Sequence, residues 1–155
     1  MTIDLKLINR AYLSRHDFEE CNKFLDEFIK RNKNTIKEAL LISALVAYAR
    51  PFSENKEHPK IINKIPLEKI TRPLDPEERK LHKKLMTIRN QAIAHSVFDK
   101  KPTGSTIQGI ALIQVSKPYN ILAESIDIKE MKNLSKKMIT ICEDIICNEQ
   151  RKLRL

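Results

Sequence analysis

Glycine is almost missing from this chain of 155 residues: it has 2, where an average usage of about 7% would give roughly 11. Gly104 and Gly109 are not followed by the Lys-Ser/Thr of a P-loop, and neither the P-loop nor the dinucleotide fingerprint can be built from them. Sheet-rich folds spend many glycines on turns, so their scarcity in a Leu-, Ile-, Lys- and Glu-rich chain points to an all-α fold. Tryptophan is absent, and the three cysteines, Cys21, Cys142 and Cys147, have neither zinc-site spacing nor the density of a disulfide scaffold. Cys21 and Cys142 fall on apolar helix stripes and read as small core residues. No apolar run approaches the ~18 residues that span a membrane. Met1-Thr2-Ile3-Asp4-Leu5-Lys6 lacks the continuous apolar stretch of a signal peptide. A cytoplasmic protein without membrane contact is expected.

What the chain does have is 41% hydrophobic and 32% charged residues, enough to bury a core and stay in solution. Its 29 basic residues exceed 20 acidic ones, for a net charge of +9 and a pI near 9.5. Such an excess favours a polyanionic partner, because each Lys or Arg that neutralises a phosphate releases counterions. The competing explanation is a set of Lys-rich, merely solvated helix faces.

Periodicity marks four main helices. Phe18, Cys21, Phe24, Leu25, Phe28 and Ile29 recur at three and four between Asp17 and Arg31. Leu5, Ile8, Tyr12 and Leu13 belong either to the same helix or to a separate turn. A second helix is expected to open at Thr35 with a Thr35/Glu38 capping box and to be stopped by Pro51. Residues 51–74 hold four prolines and no periodic stretch, and read as one long loop, of a length that is often functional. The third predicted helix has Asp75 at its cap, Pro76 at its first position and Glu77 and Glu78 at the positive end of its dipole. Leu81, Leu85, Ile88 and Ala92 form its buried stripe, and it should end near His95 or Ser96. The β-like run Ile107 to Val115 is expected to pair with Ile121 to Ser125 across Lys117-Pro118-Tyr119-Asn120, a small β-hairpin insertion near 105–125. The last helix should start at Asp127 with Glu130 completing a capping box, and bury Met131, Leu134, Met138, Ile141, Cys142 and Ile145. Residues 151–155 read as a frayed basic tail. The simplest assembly is one domain over 1–155, an antiparallel four-helix bundle.

One constellation carries chemistry. The third predicted helix closes on Arg89-Asn90-Gln91-Ala92-Ile93-Ala94-His95. Arg10 and His16 have the same spacing, but Arg10 is followed by Ala11 and then Leu13, Ser14 and Arg15, without the polar neighbour or the small apolar stretch before the His. The Arg89–His95 segment resembles the Rx4-6H motif of HEPN domains. Read with Ala44-Leu45-Val46-Ala47-Tyr48-Ala49-Arg50-Pro51-Phe52, the chain looks like a bacterial branch of that family, over roughly residues 17–147. The resemblance implies a four-helix bundle of HEPN type with the motif on its third helix, and a homodimer that brings both motif copies to one cleft. It also implies a metal-independent endoribonuclease, acting in stress response or phage defence, with RNA as substrate and an antitoxin or defence protein as possible partner. Arg89, His95 and Asn90 are then the catalytic residues, with Ser96, Tyr48 and Arg50 as supporting candidates.

The residues suit that chemistry. Histidine takes and gives protons near neutrality, so His95 can deprotonate a 2′-OH that attacks the adjacent phosphate and leaves a 2′,3′-cyclic phosphate. The Arg89 guanidinium matches the charge that builds on the phosphate oxygens, and Asn90 can orient His95 or the phosphate. No carboxylate or His/Cys cluster stands at ligand spacing, and neither metal nor cofactor is expected. Arg89 and His95 lie roughly 120° apart around a regular helix and about 9 Å along it. Either the helix unwinds near His95 or the site is shared by two chains across a two-fold axis, and the family's pairing implies the second. HEPN toxins regulated by nucleotide transfer often carry Tyr two residues after the His. Val97 stands there, so that antitoxin is not expected. The alternative function is a catalytically silent HEPN-like dimer that binds RNA or protein, with Arg89-Asn90 merely bridging carboxylates and His95 favoured by the helix dipole. His16 and His58 are expected in solvent, and His82 at the surface or in packing.

Overall fold

The structure, a computed structural model, describes residues 3–53, 64–90, 103–107, 110–114 and 120–152. It is mostly helical: α1 Leu5–Lys30, α2 Asn34–Ala49, α3 Leu67–Thr71, α4 Pro76–Ile88 and α5 Ile128–Arg151, with strands β1 Thr103–Ile107 and β2 Ile110–Gln114. Because α3 is short, the third predicted helix is α4.

α1 is a single helix of 26 residues, started by the Asp4 carboxylate accepting from the Leu7 amide at 3.0 Å. Leu5 through Leu13 therefore belong to it. α2 begins at Asn34, ahead of the expected Thr35 cap: the amides of Ile36 and Lys37 already bond the Lys33 carbonyl, which places Thr35 inside the first turn where its hydroxyl has no cap to make. Pro51 ends α-geometry as expected, and Arg50–Phe52 tightens into a 3-10 turn.

The expected loop of residues 51–74 is only partly irregular. It contains α3, and Ile65, Ile70 and Leu74 are buried. The Ile65 amide bonds the Pro51 carbonyl at 3.0 Å, drawing the two ends of the excursion together. β1 pairs antiparallel with β2, Thr103 opposite Gln114 and Ile107 opposite Ile110. The expected partner, Ile121 to Ser125, is not a strand. Asn120 accepts from the Leu122 amide at 3.0 Å and starts a 3-10 turn over Ile121–Ala123. α5 starts at Asp127, whose carboxylate accepts from the amides of Lys129 and Glu130, a double cap rather than the expected reciprocal box. Arg151 is still helical and Lys152 bonds Glu149 at 2.7 Å, so the expected fraying does not begin at 151.

α1 lies between α2 and α5. Its start meets the end of α5 (Asp4 amide to Glu149, 3.2 Å), its middle meets Ser135, whose hydroxyl donates to the Phe18 carbonyl at 3.0 Å, and its far end meets the start of α5 through Lys132 and Asp26. α1 and α5 are therefore antiparallel. The Phe18–Tyr48 contact and the Lys37–Phe28 cation–π contact set α2 antiparallel to α1 in the same way. One apolar cluster joins Phe18, Leu25, Leu45, Tyr48, Leu85 and Met138 with residues of α3 and of the Ile121 turn. Cys21 and Cys142 lie in it, and burial pushes both thiols up to about 12.

Candidate functional site

The phase of α4 is set at its start. Asp75 accepts from the Glu78 amide and the Glu78 carboxylate accepts from the Asp75 amide, each at 2.8 Å, with Pro76 as the first helical residue. With that start fixed, His82, Leu85 and Ile88 face the core and Arg79, Lys80, Lys83, Lys84 and Thr87 face solvent.

α4 is regular to Ile88; Arg89 keeps right-handed helical geometry, with its amide on the Leu85 and Met86 carbonyls, and enters a wider, π-type turn with Asn90, while the expected end near His95 or Ser96 lies outside the described residues. Such turns recur at functional sites. Arg89 is half-buried and Asn90 exposed. One terminal nitrogen of Arg89 donates to Asn90 Oδ1 at 3.0 Å, while its Nε is buried without a hydrogen-bond partner. Side chains one residue apart do not face each other on a regular helix, and this bond coincides with the widened turn. No carboxylate among the described residues pairs with Arg89. A buried donor left unpaired costs about 1–3 kcal/mol, which an acceptor arriving from outside would recover. His95 and Ser96 lie outside the described residues, and so does the geometry that joins them to Arg89.

Tyr48 and Arg50 are committed elsewhere. Tyr48 is fully buried and its hydroxyl lies 2.9 Å from His82 Nδ1. Burial holds the phenol well above its ordinary pKa and His82 below its own, so both are neutral at pH 7. The phenol and Nδ1 therefore share one hydrogen bond between neutral groups, whose direction is set by the imidazole tautomer. Phe18 and Phe52 enclose the pair, with Phe52 edge-on to the imidazole at 4.7 Å between ring centres. Arg50 donates to Asp17 at 3.3 Å and to Glu20, and its carbonyl accepts from Arg10 at 2.9 Å, which clamps the end of α2 to the middle of α1. Neither residue has a described hydrogen bond to Arg89 or Asn90.

Of the two places expected for His82, surface or packing, it takes the second. Seven residues separate it from Arg89, two turns along one face of α4, and its three-residue spacing to Leu85 places it on the buried stripe. That spacing was the available signal. The Arg10 and His16 pair separates in the fold: Arg10 turns to the Arg50 carbonyl, and His16 lies in solvent beside Glu19 at 3.1 Å.

At the opposite end of α4 a cleft of about 410 Å³ is lined by Asp75, Glu78, Lys84, Asp127 and Glu130 among others. Asp75, Glu78 and Asp127 are occupied in capping the two helices, and the cleft is remote from Arg89. Among the described residues no His/Cys/Asp/Glu group could hold a metal ion, and no helix is long and apolar enough to cross a membrane. No protein family, curated protein or solved structure matches the chain.

Proposed function

We propose that this chain is a metal-independent endoribonuclease of HEPN type, in which α1, α2, α4 and α5 are the four bundle helices and two copies pair about the Arg89 end of the third bundle helix, α4, leaving the face from Arg79 to Lys84 outside the seam. The observation that carries the reading is the Arg89–Asn90 pair at the widened end of α4. Its guanidinium is unclaimed by any carboxylate among the described residues and keeps a buried donor unspent. The sequence runs on from there to His95.

In this reading His95 removes the proton from a ribose 2′-OH, and the 2′-oxygen forms a bond to the adjacent phosphorus. The bond from phosphorus to the 5′-oxygen breaks, and that oxygen leaves as a hydroxyl on taking a proton from the imidazolium of the second copy. The products are a 2′,3′-cyclic phosphate and a 5′-OH. Arg89 stabilises the charge on the phosphate oxygens, and Asn90 holds the guanidinium in place. The two-fold pairing answers the roughly 120° that separates Arg89 from His95 on a regular helix.

The test is incubation of the purified protein with a mixed RNA pool in EDTA, beside Arg89→Ala and His95→Ala variants of unchanged circular dichroism. The expected outcome is cutting with 2′,3′-cyclic phosphate ends that is lost in both variants. Cutting that persists in both would overturn the assignment of the site. Binding of RNA by all three proteins with no cutting by any would replace the enzyme with a silent RNA-binding dimer.

A further inference from the structure

The net charge of +9 is not spread evenly over the helices. α1 carries five basic and five acidic residues, and α2 carries one of each. α4 carries four basic and two acidic residues, but both acids stand in its first turn, and the stretch from Arg79 to Asn90 has five basic residues and no acidic one. The helix phase turns Arg79, Lys80, Lys83 and Lys84 outward, together with Thr87 and Asn90, while Leu85, Ile88 and His82 go inward. Along this face, Arg79 is anchored through its Nε to the carbonyls of Thr71 and Leu74 at 3.1 and 2.9 Å. Lys84 reaches the Ser125 carbonyl, and Lys80 and Lys84 edge the cleft that holds Glu77, Glu78, Asp127 and Glu130, so the carboxylates bound the cationic face on that side. The Lys80 side chain is 81% exposed and its nearest carboxylate, Glu77, stands at 3.9 Å, the limit of an ion pair. Lys83 has no hydrogen bond or ion pair among the described residues.

We propose that this outward face of α4 is a track for the phosphodiester backbone of single-stranded RNA, ending at Arg89. The proposal rests on the ribonuclease reading and names how that site receives its substrate. The ridge is one helix wide and runs about 16 Å from Arg79 to Asn90. Arg79 with Lys83 and Lys80 with Lys84 form two adjacent rows on one narrow face, wide enough for the phosphates of one strand, whereas duplex RNA is gripped across grooves by surfaces that reach both strands. Asn90 belongs both to the ridge, by its exposure, and to the site, by its bond to Arg89, so a strand lying on the ridge delivers a phosphate to the guanidinium.

The test measures affinity against KCl concentration for a labelled 2′-O-methyl RNA single strand, which has the backbone but no nucleophilic hydroxyl to be cut. Three proteins are compared: the unaltered chain, a Lys80→Gln/Lys83→Gln/Lys84→Gln triple variant, and a control triple with the same loss of charge, Lys23→Gln/Lys129→Gln/Lys136→Gln, at exposed positions of α1 and α5. Each lost phosphate contact lowers the salt slope by about 0.7, so the α4 triple should lose about 2 from the slope while the control keeps it. If the triple fails to fold, the Lys80→Gln/Lys83→Gln double, which spares the Lys84–Ser125 bond, should lose about 1.4. Equal losses in the α4 and control variants would overturn the track in favour of diffuse attraction, as would equal competition by polyglutamate. An unchanged slope in a protein that still cuts unmodified RNA would overturn the track and leave the nuclease. The expected slope loss in a protein that cuts nothing would support the track and retire the nuclease.

Discussion

Replacing Tyr48 by Phe removes one oxygen atom and leaves the ring that packs on Phe18 and Phe52. The cost therefore falls on the bond to His82 Nδ1, 2.9 Å away in a site that water does not reach. With the phenol oxygen gone, the imidazole Nδ1 is buried unpaired, a penalty of about 1–3 kcal/mol. For a chain of 155 residues the unfolding entropy near the midpoint is about 0.3 kcal/mol per degree, which converts the penalty to a fall in Tm of about 3–9 °C. The assay is urea and thermal unfolding at pH 8, where both side chains are neutral, on Tyr48→Phe, His82→Leu and the double variant. Because the double removes donor and acceptor together, it should lose less than the two singles combined, with a coupling of about 1–2 kcal/mol. A loss under about 0.5 kcal/mol for Tyr48→Phe, with additive singles, would refute the view that this hydrogen bond ties α4 to α2.

Three further outcomes are expected. Burial holds His82 below its ordinary value, so its contribution to stability is full above about pH 6.5 and is lost as the pH falls toward the folded-state value, at up to about 1.4 kcal/mol per pH unit; urea midpoints from pH 7 to 5 should fall more steeply for the unaltered chain than for His82→Leu. Arg50→Ala frees Asp17 and Glu20, and since the Arg50 side chain is 48% exposed the cost should be about 1 kcal/mol, with the cutting rate of the folded protein unchanged. A large loss of rate without a fall in Tm would return Arg50 to the catalytic site. Mass spectrometry after iodoacetamide treatment at pH 8 should find a single adduct on the native protein, at exposed Cys147, and three in urea, because Cys21 and Cys142 are buried thiols held near 12.

Local chemistry made much of the fold legible. Asp75 with Pro76 and Glu78, and Asp127 ahead of its apolar stripe, mark helix starts by residue type alone, and both caps form. Thr35 and Glu38 carry the same signature and do not cap, because the chain enters α2 from Lys33 and the helix has already begun. Which of two adjacent polar residues precedes the first turn depends on where α1 ends, a tertiary matter. β2 pairs with β1 and not with Ile121 to Ser125 for a related reason: a turn signal at Lys117-Pro118-Tyr119-Asn120 and the alternation of side chains mark a strand but do not name its partner. At the site, residue types pointed to Arg89 and Asn90. The spending of Arg50 on Asp17 and Glu20 is a consequence of packing that a motif does not encode.

The antiparallel contact of α1 with α5 also orders the events of folding. Its ties, Asp26 with Lys132, Phe18 with Ser135 and Asp4 with Glu149, span 106, 117 and 145 residues of chain. None can close while the ribosome is still making the middle of the protein. α1 can pair early with α2, but the side facing Ser135 and Met138 stays wet until Ile128–Arg151 has been synthesised. A chain that ends before that point leaves the α5-facing side of its first helix uncovered, so truncation of α5 exposes apolar surface at the other end of the sequence.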